Sequence, residues 1–209
     1  LAYPPYTLAL ATKRADVTRQ ENLDLTHAHY AIPHSIAAIL VQEMASCQVK
    51  IVTTLHGTDV QLVGLGPSYW EVTRYGMLRS NGITAVSQSL AETTIREFHL
   101  NREVRVIPNF IDTRTFRRRP NGRRRRKMAG PDEKILLHIS NFRDLKRPWE
   151  AVEIFHGIAA ALPARLYMIG EGPGRKKAEQ TAARLGLDDK VHFIPFVDRI
   201  QDWLSQADL

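Results

Sequence analysis

Apolar positions along this chain fall into two patterns, stretches with helical spacing and short, nearly continuous runs, and the two alternate. Leu8 to Asn22 (LALATKRADVTRQEN) has helical spacing and few breakers, and Asp24 to Tyr30 (DLTHAHY) reads as a short strand. Pro33 suits the first turn of the next helix, which continues through IAAILVQEMA. The strand KIVTTL, a helical stretch around SYWEVTRYGMLRS, the strand GITAVS, the helix SLAETTIREFH and the strand VRVIP follow. Ser87 or Ser89 is the expected cap of SLAETTIREFH, with Glu92 near the capping-box position. A second series begins with the strand KILLHIS and the helix PWEAVEIFHGIAAAL, where Val152, Phe155, Ala159 and Leu162 recur at helical spacing. It continues as strand ARLYMIG, helix GRKKAEQTAARLG, strand KVHFIPF and helix RIQDWLSQA.

Apolar strands between helices predict an α/β fold with parallel sheets covered on both faces. Residues 109–133 are rich in Arg, Pro, Gly and Asn without a sustained apolar period, so they read as a linker that has room for a short helix. The expected organisation is a Rossmann-like domain at 1–108, a basic interdomain linker at 109–133 and a second Rossmann-like domain at 134–209, the two facing across a cleft.

Composition bounds the class. The chain has 209 residues, 44% hydrophobic and 24% charged, as in an ordinary soluble protein. No run approaches the roughly 18 apolar residues of a membrane span, and LAYPPYTLAL lacks a signal peptide's basic start and cleavage site. The sequence lacks an initiating Met and stops at SQADL where a strand is due, so it is expected to be an internal fragment. The single cysteine, Cys47, excludes an intrachain disulfide and a cysteine-cluster metal site, and fits a cytoplasmic protein. Net charge is +7, and the stretch from Arg117 to Lys127 holds eight positive charges; +7 minus these eight leaves −1 for the rest. The basicity is therefore one loop, read as solvated. A nucleic-acid arm or a contact with an anionic membrane are the alternatives, although no aromatics interleave the arginines.

Candidate chemistry sits at strand ends. In VTTLHGTD the strand stops at His56 and Gly57, where open α/β sheets place ligands. After KILLHI come Asn141, Arg143, Lys146 and Arg147, ahead of a helix N-terminus, an arrangement suited to a pyrophosphate. After ARLYMI come Gly170, Glu171 and Gly172. These glycines allow close approach of a ligand and the acid can accept from a ribose, although neither G-x-G-x-x-G nor a P-loop is present. His27, His29, His34 and His56 raise the question of a metal. No Asp or Glu stands at ligand spacing, so hydrogen-bonding histidines are the preferred reading. There is no G-x-S-x-G elbow, and Ser87 reads as a cap.

Taken together, HAHYAIPH, TTLHGTD, ITAVS, VIPNFID, HISNFRDLKRP and IGEGP resemble, in order and approximate spacing, the retaining GT-B glycosyltransferases of family 4. The resemblance spans nearly the whole chain except the arginine loop, and is nearest to members that act on L-malate in bacillithiol synthesis. It implies transfer of N-acetylglucosamine from UDP-N-acetylglucosamine to the malate hydroxyl, with no cofactor and no metal; a family 4 transferase with another acceptor, such as an inositol phosphate, a sugar or a lipid, is the alternative. By resemblance, Arg143 and Lys146 stabilise the departing diphosphate and His56 touches the donor sugar near the reacting centre. The family commonly spaces Arg and Lys five apart; here they are three apart and Asn141 holds the five-back position. Gly57, Asn109, Asn141, Gly170, Glu171 and Gly172 are the expected donor-side residues, and Tyr30, Thr58 and Arg74 the expected acceptor contacts. The sequence does not reveal oligomeric state; a homo-oligomer is compatible with the resemblance, since relatives often self-associate. The resemblance further implies that the family's first glycine-rich loop would precede Leu1 and its E-x7-E element would follow Leu209, so residues 1–209 alone are expected to be inactive.

Overall fold

The computed structural model describes residues 5–45, 48–119 and 122–209; Cys47 lies outside them. The chain forms two compact units, residues 1–110 and 111–209.

In the first unit, β1 (Leu25–His29), β2 (Lys50–Leu55), β3 (Gly82–Ala85) and β4 (Arg105–Val106) lie side by side in that order, each pair parallel. A sheet that grows in one direction through right-handed crossovers puts its connecting helices on one face. Ala28 and Ile51 accordingly pack against Ala38 and Ile39 of α2 (Ile36–Ala45). Leu55, Ile83 and Ala85 pack against Met77 of α3 (Trp70–Arg79) and Leu90 and Ala91 of α4 (Gln88–Glu97). Helix α1 (Tyr6–Gln20) packs along α2. The opposite face carries His27, His29, Thr54 and Thr84, with both histidines exposed. Two-faced cover was expected of this sheet; the sequential strand order is the reason its helices gather on one side.

Two local expectations change. Pro33 is not in the first turn of α2 but in a wide turn, Ala31–Ser35, ahead of it. Ile32 keeps extended dihedrals (φ −122°, ψ 134°), as residues before proline tend to. Ser87 Oγ caps α4 by accepting from the Leu90 N–H at 3.2 Å, whereas Glu92 accepts from Gln88 and forms no capping box.

In the second unit, β5 (Lys134–Ile139), β6 (Ala164–Ile169) and β7 (Val191–Ile194) are parallel in that order. Helices α6 (Pro148–Ala161) and α7 (Arg175–Arg184) cover the face of Leu136, Leu166, Met168 and Val191. On the other face, Met128 of α5 (Gly122–Met128), Ala129 and Trp203 of α8 (Ile200–Leu204) pack against Ile135 and Tyr167. This sheet is covered on both sides. Asp208 and Leu209 run along the free edge of β5: Leu209 N–H bonds the Ile135 carbonyl at 3.3 Å and the Leu209 carbonyl accepts from Leu137 N–H at 2.9 Å, as a parallel neighbour would.

The basic segment is in part tied to the second unit rather than wholly a solvated linker. The boundary between the units follows Phe110, and the arginines flank and form a helix that belongs to the second unit. Arg125 bonds the carbonyls of Gln206 (2.8 Å) and Glu133 (3.0 Å) and pairs with Asp208 at 2.8 Å. Arg118 also meets Asp208, and Arg124 meets Asp202 while lying over the Trp203 ring. The segment looked like a loop because the carboxylates that bind Arg118, Arg124 and Arg125 lie about 80 residues later in sequence.

Burial would raise the Asp208 carboxyl, but hydrogen bonds from Ile135 N–H and Arg125 outweigh it and hold it below the ordinary carboxylate value. A depressed carboxyl stabilises the fold above its unfolded-state pKa, and that contribution is lost as pH falls toward the folded value. Arg125→Ser is therefore expected to cost the second unit about 2 kcal/mol at neutral pH. Denaturant titration of the complete protein should show that difference shrinking in acid.

Candidate functional site

At the carboxyl end of β2 the chain turns at Gly57, whose φ of +110° suits glycine. The Asp59 carboxylate, only 2% exposed, holds this turn. Its Oδ1 accepts from the N–H groups of His56 (3.1 Å) and Gly57 (3.0 Å), and its Oδ2 accepts from Ala31 N–H at 2.7 Å. One buried group thus ties the end of β2 to the end of β1. A charged acceptor for three orphaned N–H groups offsets the cost of its burial.

Above this anchor the imidazoles converge. His29 Nδ1 lies 2.8 Å from His56 Nε2, and the Tyr30 ring packs 4.9 Å from that of His56. Tyr30 reaches this place because its φ is +77° while its N–H still bonds the Thr54 carbonyl. His34 Nδ1 donates to the His29 carbonyl. His27 Nε2 meets Thr54 Oγ1 at 2.7 Å, and Thr54 Oγ1 meets Thr84 Oγ1 at 2.6 Å, a chain of hydrogen bonds across three strands. Burial, and then the neighbouring His29 and His56, lower the His27 pKa. Among the described residues no three His, Cys, Asp or Glu side chains group as metal ligands.

The structure brings His56, Gly57 and Tyr30 together, with Thr58 exposed beside them. Arg74 is not joined to them by any hydrogen bond or ring contact among the described residues. Its Nε donates to the Phe98 carbonyl at 3.0 Å and its guanidinium lies over Trp70. Asn109 is exposed near the end of this unit. Asp59 was missed in the sequence. The signal was its place two residues after a turn glycine, where an Asp side chain commonly captures backbone N–H groups.

In the second unit the corresponding loop follows β5. Asp208–Leu209 lies along one edge of β5 and β6 along the other, and the Ser140–Arg147 loop follows the carboxyl end of β5, where open α/β sheets bind ligands. Phe142 is fully buried and fastens the loop; its N–H bonds Ser140 Oγ, which also meets His138 Nε2 at 2.9 Å. Asn141, Arg143 and Lys146 are exposed, and among the described residues no carboxylate lies within ion-pair distance of either cation. Arg147 differs, with both oxygens of Glu150 engaged by its guanidinium. Burial and then the Lys146 charge lower the His138 pKa, which puts the lysine at the carboxyl end of β5.

Gly170 and Gly172, at φ +135° and +152°, were expected to make room for a ligand. What approaches them is backbone. A side chain at Gly170 would collide with the Ser140 carbonyl, and one at Gly172 with that of Asn141. Gly174 N–H bonds the Phe142 carbonyl at 2.8 Å, so the two loops lock together. Glu171 pairs with Arg175 at 2.6 Å.

Residues 1–115 match the family Glycosyltransferase Family 4, and residues 123–209 match Glycosyl transferases group 1. The chain is 41% identical over 208 residues to N-acetyl-alpha-D-glucosaminyl L-malate synthase of Bacillus anthracis, covering 99% of this chain and 55% of that protein. It thus spans about half the length of the curated relatives it matches. In fold it resembles a Rickettsia africae glycosyltransferase (TM-score 0.73, 16% identity, covering 100% of this chain and 56% of that one). It likewise resembles Anabaena HepE in complex with UDP and glucose (TM-score 0.73, 19% identity, covering 96% and 54%). The chain thus has an α/β fold with parallel sheets of the GT-B type.

If the glycine loop serves to seat the Ser140–Arg147 loop, Gly172→Ala should destabilise the second unit by about 3 kcal/mol through positive φ and the Asn141 collision. Its denaturation midpoint in the complete protein measures this.

Proposed function

The chain belongs to glycosyltransferase family 4, and from that premise we propose that the complete protein transfers N-acetylglucosamine from UDP-N-acetylglucosamine to the hydroxyl of L-malate, with retention at the anomeric carbon. The observation that carries this reading is the 41% identity over 208 residues, running through both units, to a protein of that activity by name.

Lys146 and Arg143 neutralise the charge that grows on the departing diphosphate. Their exposure, their lack of ion-pair partners among the described residues and their place at the carboxyl end of β5 support that role. Protein cations then do what a divalent metal does elsewhere, and the reaction uses neither metal nor cofactor. Asn141 and the backbone at Gly170 and Gly172 border the same loop, and Glu171 accepts from the ribose. Asn109 completes the donor-side set. In the first unit His56 meets the donor sugar, with Gly57 leaving space beside it. Tyr30 and Thr58 contact the acceptor, and Arg74, anchored through Nε, offers its terminal nitrogens to a carboxylate. A leaving-phosphate oxygen takes the acceptor proton on the face of attack, so no enzymic nucleophile is required. A cytoplasmic setting and self-association belong to the same proposal. No helix of the described residues is long and apolar enough to cross a membrane.

Turnover of UDP-N-acetylglucosamine by the complete protein, without added metal and with a panel of acceptors, tests this. A malate-dependent product of N-acetylglucosaminyl-malate mass is expected; UDP release only with another acceptor would remove malate and keep the transferase. Lys146→Ala should lower kcat about 10²–10³-fold.

The depressed His138 gives a second expectation. A diphosphate at Lys146 cancels the charge that disfavours the imidazolium, so bound UDP should raise the His138 pKa and bind more tightly as pH falls through that range. NMR titration of His138 should show the upward shift on UDP binding, and Lys146→Ala should by itself raise the His138 pKa without UDP.

A further inference from the structure

His56 is held at two points, and only one of them is its backbone. His29, the last residue of β1, stands level with Thr54 in the strand register, and its Nδ1 lies 2.8 Å from His56 Nε2. His29 is itself constrained: its carbonyl accepts from His34 and its ring lies 4.4 Å from that of His27. Tyr30 packs against His56, and Asp59 fixes the His56 N–H.

A neutral imidazole has one donor nitrogen and one acceptor nitrogen. In the bond between these rings one histidine donates and the other accepts, and in either case it is Nε2 of His56 that is used. Nδ1 is then the ring nitrogen left to meet a ligand. If His29 donates, His56 Nδ1 carries the proton; if His56 donates, Nδ1 is a bare acceptor. The partner thus fixes the orientation of the ring and couples its tautomer to that of His29.

We propose that His29 is a positioning residue that, through its ring hydrogen bond to Nε2, sets the orientation of His56 so that Nδ1 faces the donor sugar. The catalytic part of this inference rests on the glycosyltransferase reading above; the ring bond does not.

The test uses the complete protein and exploits side-chain length. Asn at position 29 puts an amide near the place of Nδ1, whereas Gln puts it near Nε2, which His29 does not use for this bond. His29→Leu and His29→Gln should lower kcat about 10²-fold with little change in KM for UDP-N-acetylglucosamine. His29→Asn should recover most of the loss. In a His56→Ala background, His29→Leu should cost nothing further. Wild-type kcat in His29→Leu, equal losses in the Asn and Leu variants, or a full additional loss in the His56→Ala background would each overturn the proposal. Matching thermal midpoints establish that the variants are folded. Nitrogen-15 NMR of the His56 ring supplies a readout that needs no turnover: a hydrogen-bonded Nε2 in the wild type and loss of that bond in His29→Leu are expected, and identical spectra would refute the ring claim. A wild type inactive with every acceptor would sink the transferase reading while leaving the NMR result to decide the ring bond.

Discussion

Where β1 and β2 end, three backbone N–H groups lose the ladder partners that a sheet provides, and the buried Asp59 carboxylate takes all three. Nearly every feature of the first unit's candidate site follows from that capture. Ala31 is drawn toward the end of β2, which brings Tyr30, at positive φ, to His56. Gly57 accepts the unusual dihedral that lets its N–H and that of His56 point at the same oxygen. Burying a charge is costly unless it is fully hydrogen-bonded, and the same hydrogen bonds that offset the cost hold the loop.

The second unit solves a similar problem without a charge. The Ser140–Arg147 loop is seated by the buried Phe142 ring and by direct backbone contact with the glycine loop after β6. Fastening the loop from beneath leaves Asn141, Arg143 and Lys146 exposed. Among the described residues Arg143 and Lys146 have no carboxylate partner, whereas Arg147 and Arg175 are matched by Glu150 and by Glu171 and Glu179.

The arginine segment shows how charge in a sequence misleads when its partners are remote. Read locally, eight cations in 11 positions look solvated or poised for a polyanion. In the fold, Arg118, Arg124 and Arg125 bind Asp202 and Asp208, and the helix they flank closes one face of the second sheet.

By itself the sequence determined the alternation of strands and helices, because the period of apolar positions is a local property that burial then rewards. It determined that His56–Gly57 and Asn141–Lys146 stand at strand ends, since a strand's end is visible where its apolar run stops. Even Ser87 as a cap was legible, because its partner is three residues away. Only the tertiary structure decided what each of these groups touches. That His29 bonds His56, that Asp59 serves two strands and that Gly170 and Gly172 seat against Ser140 and Asn141 depend on residues 27 to 31 positions apart. Strand order decided which sheet face was left to the histidines, and strand order is set by packing across crossovers, which no local pattern records.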